Sequence, residues 1–223
     1  MAPATDQRRA TRKRARTREA VLRAAIACIA EEGMASANTA RIAERCDVSW
    51  GVIQYHFGDR TGLFLALIEW GFTALKDALA GLHSSAPDLR SRLESLVEGT
   101  WALMERPPYR AVLEVLLQLG REPDSAAAVR ERTRQMRGQL REVWRKALPE
   151  HAPDSVDRVE RLAITSLQGL ALEQALEGKR AAHARDRKAL IETLTALLAT
   201  PGKAAPPSPS RSRRTASSPT APS

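Results

Sequence analysis

Only two cysteines, Cys28 and Cys46, occur in 223 residues, too few for a disulfide framework and without the spacing of a metal site. Both fall on apolar faces of predicted helices, where cysteine packs as a small hydrophobe; a redox or metal pair is the alternative. Aromatic residues make up 4% of the chain, and no stretch shows sustained strand-like alternation. No apolar run reaches the roughly 18 residues of a membrane span, so no membrane partner is expected. The polar, basic start lacks the apolar core of a secretory leader, and a cytoplasmic location follows as an expectation. The four histidines, His56, His83, His151 and His183, are scattered without carboxylates or thiols at ligand spacing, and there is no phosphate-cradling glycine loop or nucleophile elbow. No catalytic residue, metal or cofactor is expected, and the chain does not read as an enzyme.

What is abundant is Ala, Leu, Glu and Arg, with 43% hydrophobic content, which favours an all-α protein able to bury one or two cores. The formal charge of +9 is uneven. Residues 1–18 carry +6 and residues 200–223 carry +4, leaving the middle near neutral at −1. The organisation expected is a disordered basic arm over 1–16, a head over 17–62, a helical domain over 63–200, and a Pro/Ser/Arg tail over 201–223 that cannot bury enough apolar surface to fold. The arm is either a solvated leader or a salt-dependent phosphate contact.

The stretch from Thr39 to Arg60 is the most informative. Ile42, Ala43 and Cys46 share one helical face, Asp47-Val48-Ser49 makes a break, and Ser49 is placed to cap a second helix carrying Val52, Ile53 and His56. Two short helices about a tight turn are a helix-turn-helix, whose second helix enters the DNA major groove. With the apolar helix Val21 to Ala30 before it, Glu32-Gly33, Tyr55-His56-Phe57, and Leu63-Phe64 after it, the segment from about Arg18 to Trp70 resembles the N-terminal domain of TetR-family transcriptional regulators. Gln54 stands where that family most often has the first of two tyrosines. Glutamine pairs bidentately with an adenine edge, which tyrosine cannot do.

On this reading Trp50, Gly51, Gln54 and Tyr55 lie on the exposed side of the recognition helix, with Val52, Ile53 and Phe57 toward the core. Gly51 permits close approach, Trp50 packs on a thymine methyl or a sugar, and Gln54 contacts a base edge. The resemblance places Thr39, Tyr55, His56 and Arg60 at phosphates, with Ser49 at the start of the reading helix. For His56 the alternative is a capping or core histidine; for Trp50 it is helix packing.

The remaining helices are expected at about Thr17 to Glu32, Arg60 to Leu82, Leu89 to Arg106, Tyr109 to Gly120, Ser125 to Leu148, Asp154 to Glu177 and Ala184 to Thr200. With the two of the reading motif they make nine, the number the resemblance implies. Ser84-Ser85-Ala86-Pro87-Asp88 breaks the pattern after the fourth. The resemblance also implies that the last two pair with their copies in a homodimer, through Leu167, Leu170, Leu190, Ile191, Leu194, Leu197 and Leu198. Closing the monomer core is the alternative.

It further implies a pocket for a small-molecule effector. Its candidate lining is Trp101, Met104, Tyr109, Leu113, Leu117 and Met136, with Leu140, Trp144 and Leu172 and with Gln168 as the orienting polar group; ordinary core packing is the alternative for each. The function implied is a ligand-responsive repressor binding a palindromic operator in double-stranded DNA. The rival reading is a helical interaction module whose basic tails bind nucleic acid without sequence choice.

Overall fold

The computed structural model describes residues 3–81, 88–177 and 183–199. The described residues form nine α-helices and no strand: α1 Pro3–Glu32, α2 Thr39–Arg45, α3 Trp50–Phe57, α4 Arg60–Ala80, α5 Leu89–Met104, α6 Pro107–Leu119, α7 Pro123–Ala147, α8 Pro153–Glu177 and α9 His183–Ala199. The tail over 201–223 lies outside them.

One expectation fails at the start of the chain. The arm is helical from Pro3, continuous with the buried part of α1, rather than disordered. After Pro3 it contains neither glycine nor a second proline, and it is rich in Ala and Arg. Once Val21 to Ile29 are packed, extending the helix N-terminally fixes one residue per added bond with no new nucleation cost.

The short helices of the head are set by their caps. The Asn38 carboxamide oxygen accepts from the Arg41 amide at 2.9 Å, and the Asp59 carboxylate accepts from the Gly62 amide at 2.7 Å. Ser49 occupies the cap position of α3, but its side chain makes no capping bond. Gly58, at φ 81°, turns the chain between α3 and α4 in the left-handed region that glycine tolerates.

Two apolar cores result. The first joins α1, α2, α3 and the first half of α4 to α6 through Ala111, Val112, Val115 and Leu119, so α6 is built into the head rather than standing apart from it. The second joins Leu79 at the end of α4 to α5, α7, α8 and α9. Helix α4 therefore belongs to both. Ion pairs close the lower bundle: Arg145 holds Asp157 across α7 and α8 at 2.8 Å, and Arg187 holds Glu98 across α9 and α5 at 3.0 Å.

The interior places several expected partner-facing residues within a single chain. Leu167, Ile191, Leu194 and Leu198 are buried where α8 and α9 meet α5 and one another, so they serve the monomer core. Leu170 and Leu190 are half-buried on the edge of the same core. Of the seven, only Leu197 is exposed, at 51%; Leu162, Leu172 and Leu176 of α8 are exposed with it.

Candidate nucleic-acid interface

The reading motif is built as its sequence dictates. Ile42, Ala43 and Ile53 are buried where α2 and α3 meet α1, and Val48 and Phe57 pack against that core from the turn and the end of α3. Asp47 adopts φ 52°, a left-handed residue that reverses the chain within three positions. Val52 is only half-buried and stands outside the core cluster, at the margin of the reading face.

Gly51 and Gln54 are exposed, Trp50 is 40% exposed and Tyr55 62% exposed. A tryptophan and a tyrosine left in solvent on an eight-residue helix lack the burial that aromatics normally find. Ser49 is exposed beside them, and Thr39 is half-exposed as the first residue of α2.

Charge around the motif is less free than the sequence suggests. On α2, Arg41 pairs with Glu32 at 3.1 Å and Glu44 at 3.0 Å, while Arg45 reaches Glu31. Arg60 lies over the Phe64 ring at 4.9 Å and pairs with Glu122, before α7, at 3.7 Å, so a phosphate would compete with that carboxylate. Two other arginines flank α3. The Arg14 guanidinium sits 4.9 Å above the Tyr55 ring and that of Arg18 5.4 Å from the Phe57 ring. His56, half-buried between those rings, has its pKa lowered by burial and then by the positive charge of Arg14 and Arg18, which favours the neutral imidazole. In sequence the two are members of the basic stretch only; the helical continuation of α1 is what brings them to α3.

The two cysteines follow their packing reading. Cys28 is buried and Cys46 half-buried, its thiol donating to the Ile42 carbonyl at 3.0 Å, and burial raises the pKa of both. A thiol so placed is a poor nucleophile. Among the described residues no group of His, Cys, Asp and Glu is arranged to hold a metal, and no helix is long and apolar enough to cross a membrane.

A cavity of about 230 Å³ opens between α4, α6, α7 and α8. Half of the expected lining is present: Met104, Tyr109, Leu113, Leu140 and Gln168. Trp101 and Trp144 are instead core residues of the lower bundle, and Met136 is buried with the head. Leu117 and Leu172 point to solvent, each 54% exposed. Trp70, Phe72 and Leu75 of α4, and Arg137, Glu160 and Arg161 of α7 and α8, also line the cavity and were not among the expected residues.

Glu160 is only 6% exposed. Burial raises its carboxyl pKa, an effect that Arg141 and Arg137 oppose. The Tyr109 hydroxyl is enclosed with no partner in hydrogen-bonding geometry; burial pushes its pKa up, and the nearby Gln168 amide works against that shift.

Comparison with known proteins bears on the head and on the fold separately. Residues 21–67 match the family described as bacterial regulatory proteins, tetR family. The HTH-type transcriptional regulator BetI of Stenotrophomonas maltophilia is 36% identical over 85 residues, which are 38% of this chain and 43% of that protein. BetI of Yersinia pestis is 39% identical over 88 residues, again 38% and 43%. The chain thus spans less than half the length of these curated relatives. Two solved structures share the fold: Salmonella enterica GusR, with TM-score 0.63 and 23% identity over 82% of this chain and 96% of that one, and the multidrug binding protein EbrR complexed with ethidium, with TM-score 0.57 and 19% identity over 82% and 98%. The helix-turn-helix head, residues 21–67, is thus that of the tetR family of bacterial regulatory proteins.

Proposed function

We infer that this protein is a sequence-specific transcriptional regulator, a repressor that binds a near-palindromic operator as a homodimer and releases it when a small molecule fills the cavity. The observation that carries this reading is the bare face of α3, where Trp50, Gly51, Gln54 and Tyr55 stand in solvent on a helix seated by Ile53. Helix-turn-helix proteins place such a face in the major groove, and two-fold operators match two-fold proteins. The exposed leucines of α8 and α9, Leu162, Leu172, Leu176 and Leu197, are the apolar surface that a second subunit would cover. Gln54 reads a base edge, while Thr39, Tyr55 and His56 hold phosphates, joined by Arg60 once it leaves Glu122.

Helix α4 supports the regulatory half of the reading. Its first residue follows the Gly58-Asp59 turn out of α3, and Trp70, Phe72 and Leu75 farther along line the cavity. At about 1.5 Å per residue, its 21 residues span roughly 30 Å. A ligand that displaces its middle moves α3 at its end. The cavity is smaller than the roughly 300–1,000 Å³ of drug-sized sites, which suits a compact effector with an apolar body. Its polar groups would meet the Tyr109 hydroxyl, Gln168 and Glu160. EbrR, of the same fold, is complexed with ethidium.

The test is selection of bound fragments from a random double-stranded library by the purified protein at near-physiological salt. A two-fold symmetric motif, bound about 10³-fold or more above random DNA, is the expected result. Recovery of no motif, with all binding lost as salt rises, refutes the reading.

A further inference from the structure

The segment that precedes the matched region is helical and basic. The family match begins at residue 21, whereas α1 runs N-terminally from there to Pro3. Every side chain from Gln7 to Arg16 is exposed, and this segment contains no acidic residue. Among the described residues none of Arg8, Arg9, Arg12, Lys13 or Arg16 forms an ion pair, and the i, i+4 neighbours Arg8 and Arg12, Arg12 and Arg16, and Arg9 and Lys13 repel one another along the helix. A polyanion relieves that repulsion. At 3.6 residues per turn these five cations fan over about 140° of the helix, while Arg14 and Arg18 leave from the opposite side. Those two are the arginines that lie on the Tyr55 and Phe57 rings, so the arm is tied to the recognition helix along one edge.

We propose that residues 3–18 are a second DNA-contacting element, a helical arm docked on the recognition helix whose arc of cations binds phosphates of the duplex flanking each operator half-site. The inference rests on the DNA-reading function proposed above. The remaining arm positions are Ala, Thr, Gln, Pro and Asp, with no large apolar side chain for a membrane or an apolar protein groove, whereas unpaired cations on the free side of a helix docked beside a groove-reading helix fit a phosphate backbone. From Arg18 to Pro3 the helix extends about 22 Å, the length of roughly six base pairs.

The test compares full-length wild type with R8Q/R9Q/R12Q/K13Q/R16Q, glutamine being chosen because it keeps helix propensity. Circular dichroism checks that the variant is folded. Both proteins are titrated across a salt series against the selected operator and against random duplex of equal length, and both are footprinted. The slope of log K against log salt is expected to become shallower by about 0.9 for each phosphate that the variant no longer neutralises, roughly three or more per subunit, on both DNAs. The protected region is expected to shorten by about six base pairs at each outer end. An unchanged slope overturns the proposal. A shallower slope with an unchanged footprint overturns the docked helix and leaves only diffuse charge. If wild type selects no motif, the regulator reading falls, while the slopes on random duplex still decide whether the arm binds phosphates.

Discussion

Gly71 is the position where packing, cavity and DNA reading meet, and substituting it tests their connection. A Cβ built there would lie 2.7 Å from Cγ2 of Val112, at the crossing of α4 and α6 and on the wall of the cavity. Carbon atoms sit comfortably at about 3.5–4.0 Å, so Gly71→Ala forces α4 and α6 apart by several tenths of an ångström or more. Such overpacking costs about 1–3 kcal/mol, against an intrinsic helix gain of about 1 kcal/mol for replacing glycine by alanine. The net expectation is a loss of about 0–2 kcal/mol, seen as a fall in Tm of roughly 2–4 °C per kcal/mol for a domain of this size. With Val112→Ala already present, the clash is gone and the same change should stabilise by up to about 1 kcal/mol. Thermal denaturation of the four proteins of this double-mutant cycle gives the coupling, expected at about 1–3 kcal/mol. Because α4 leads back to α3, Gly71→Ala should also change operator affinity at a temperature where it is fully folded, and Val112→Ala should restore it. An equal effect of Gly71→Ala in both backgrounds would show that α4 and α6 are not in tight register, and the lever from cavity to recognition helix would lose its basis.

Gln54→Ala should weaken the selected operator by about 1–3 kcal/mol while leaving random duplex nearly unchanged, as measured by anisotropy titration; equal losses on both would remove Gln54 from base reading. His56 is held toward the neutral imidazole by burial and by Arg14 and Arg18, whereas a phosphate beside it favours the charged form. Operator binding should therefore take up protons and strengthen as pH falls from about 7 toward about 6, and His56→Gln should abolish that dependence if the histidine contacts phosphate. Burial raises the Glu160 pKa, so the folded chain holds its proton more tightly than the unfolded one does. That contribution is present below the unfolded pKa and is lost as pH rises through the folded one. Glu160→Gln should accordingly raise Tm more at about pH 7.5 than at about pH 5, and an equal shift at both would mean that Arg137 and Arg141 fully offset the burial. Asp59→Ala removes the cap on the Gly62 amide and should lower stability by about 1 kcal/mol in thermal unfolding; no change would mean that packing alone fixes the junction of α3 and α4.

The parts of this molecule legible in sequence are those fixed by local chemistry. Thr39 to Phe57 declared its two helices because Ile42, Ala43 and Ile53 recur at helical spacing on either side of a turn. The ends of the later helices were offset for an equally local reason. Pro107, read as the stop of the preceding helix, and Pro123 and Pro153, left between the expected helices, are each the first residue of a helix, where the missing amide would have no intrahelical partner anyway. What stayed hidden depends on which surfaces meet. The stripe of α9 gives Leu194 and Leu197 the same apolar character, but the first faces α5 and α8 and the second faces solvent. Periodicity locates an apolar side without saying whether the chain itself or a second copy will cover it. The cavity is the stronger case. Glu160, Arg137 and Arg141 look like an ordinary solvated face along α7 and α8, and only the approach of those helices to Trp70 and Tyr109 buries Glu160 and leaves the two arginines at the cavity wall. A carboxylate buried in that way is costly unless something answers its charge. Arg137 and Arg141 answer it in part, and the cavity that it lines leaves room for a ligand to supply the rest.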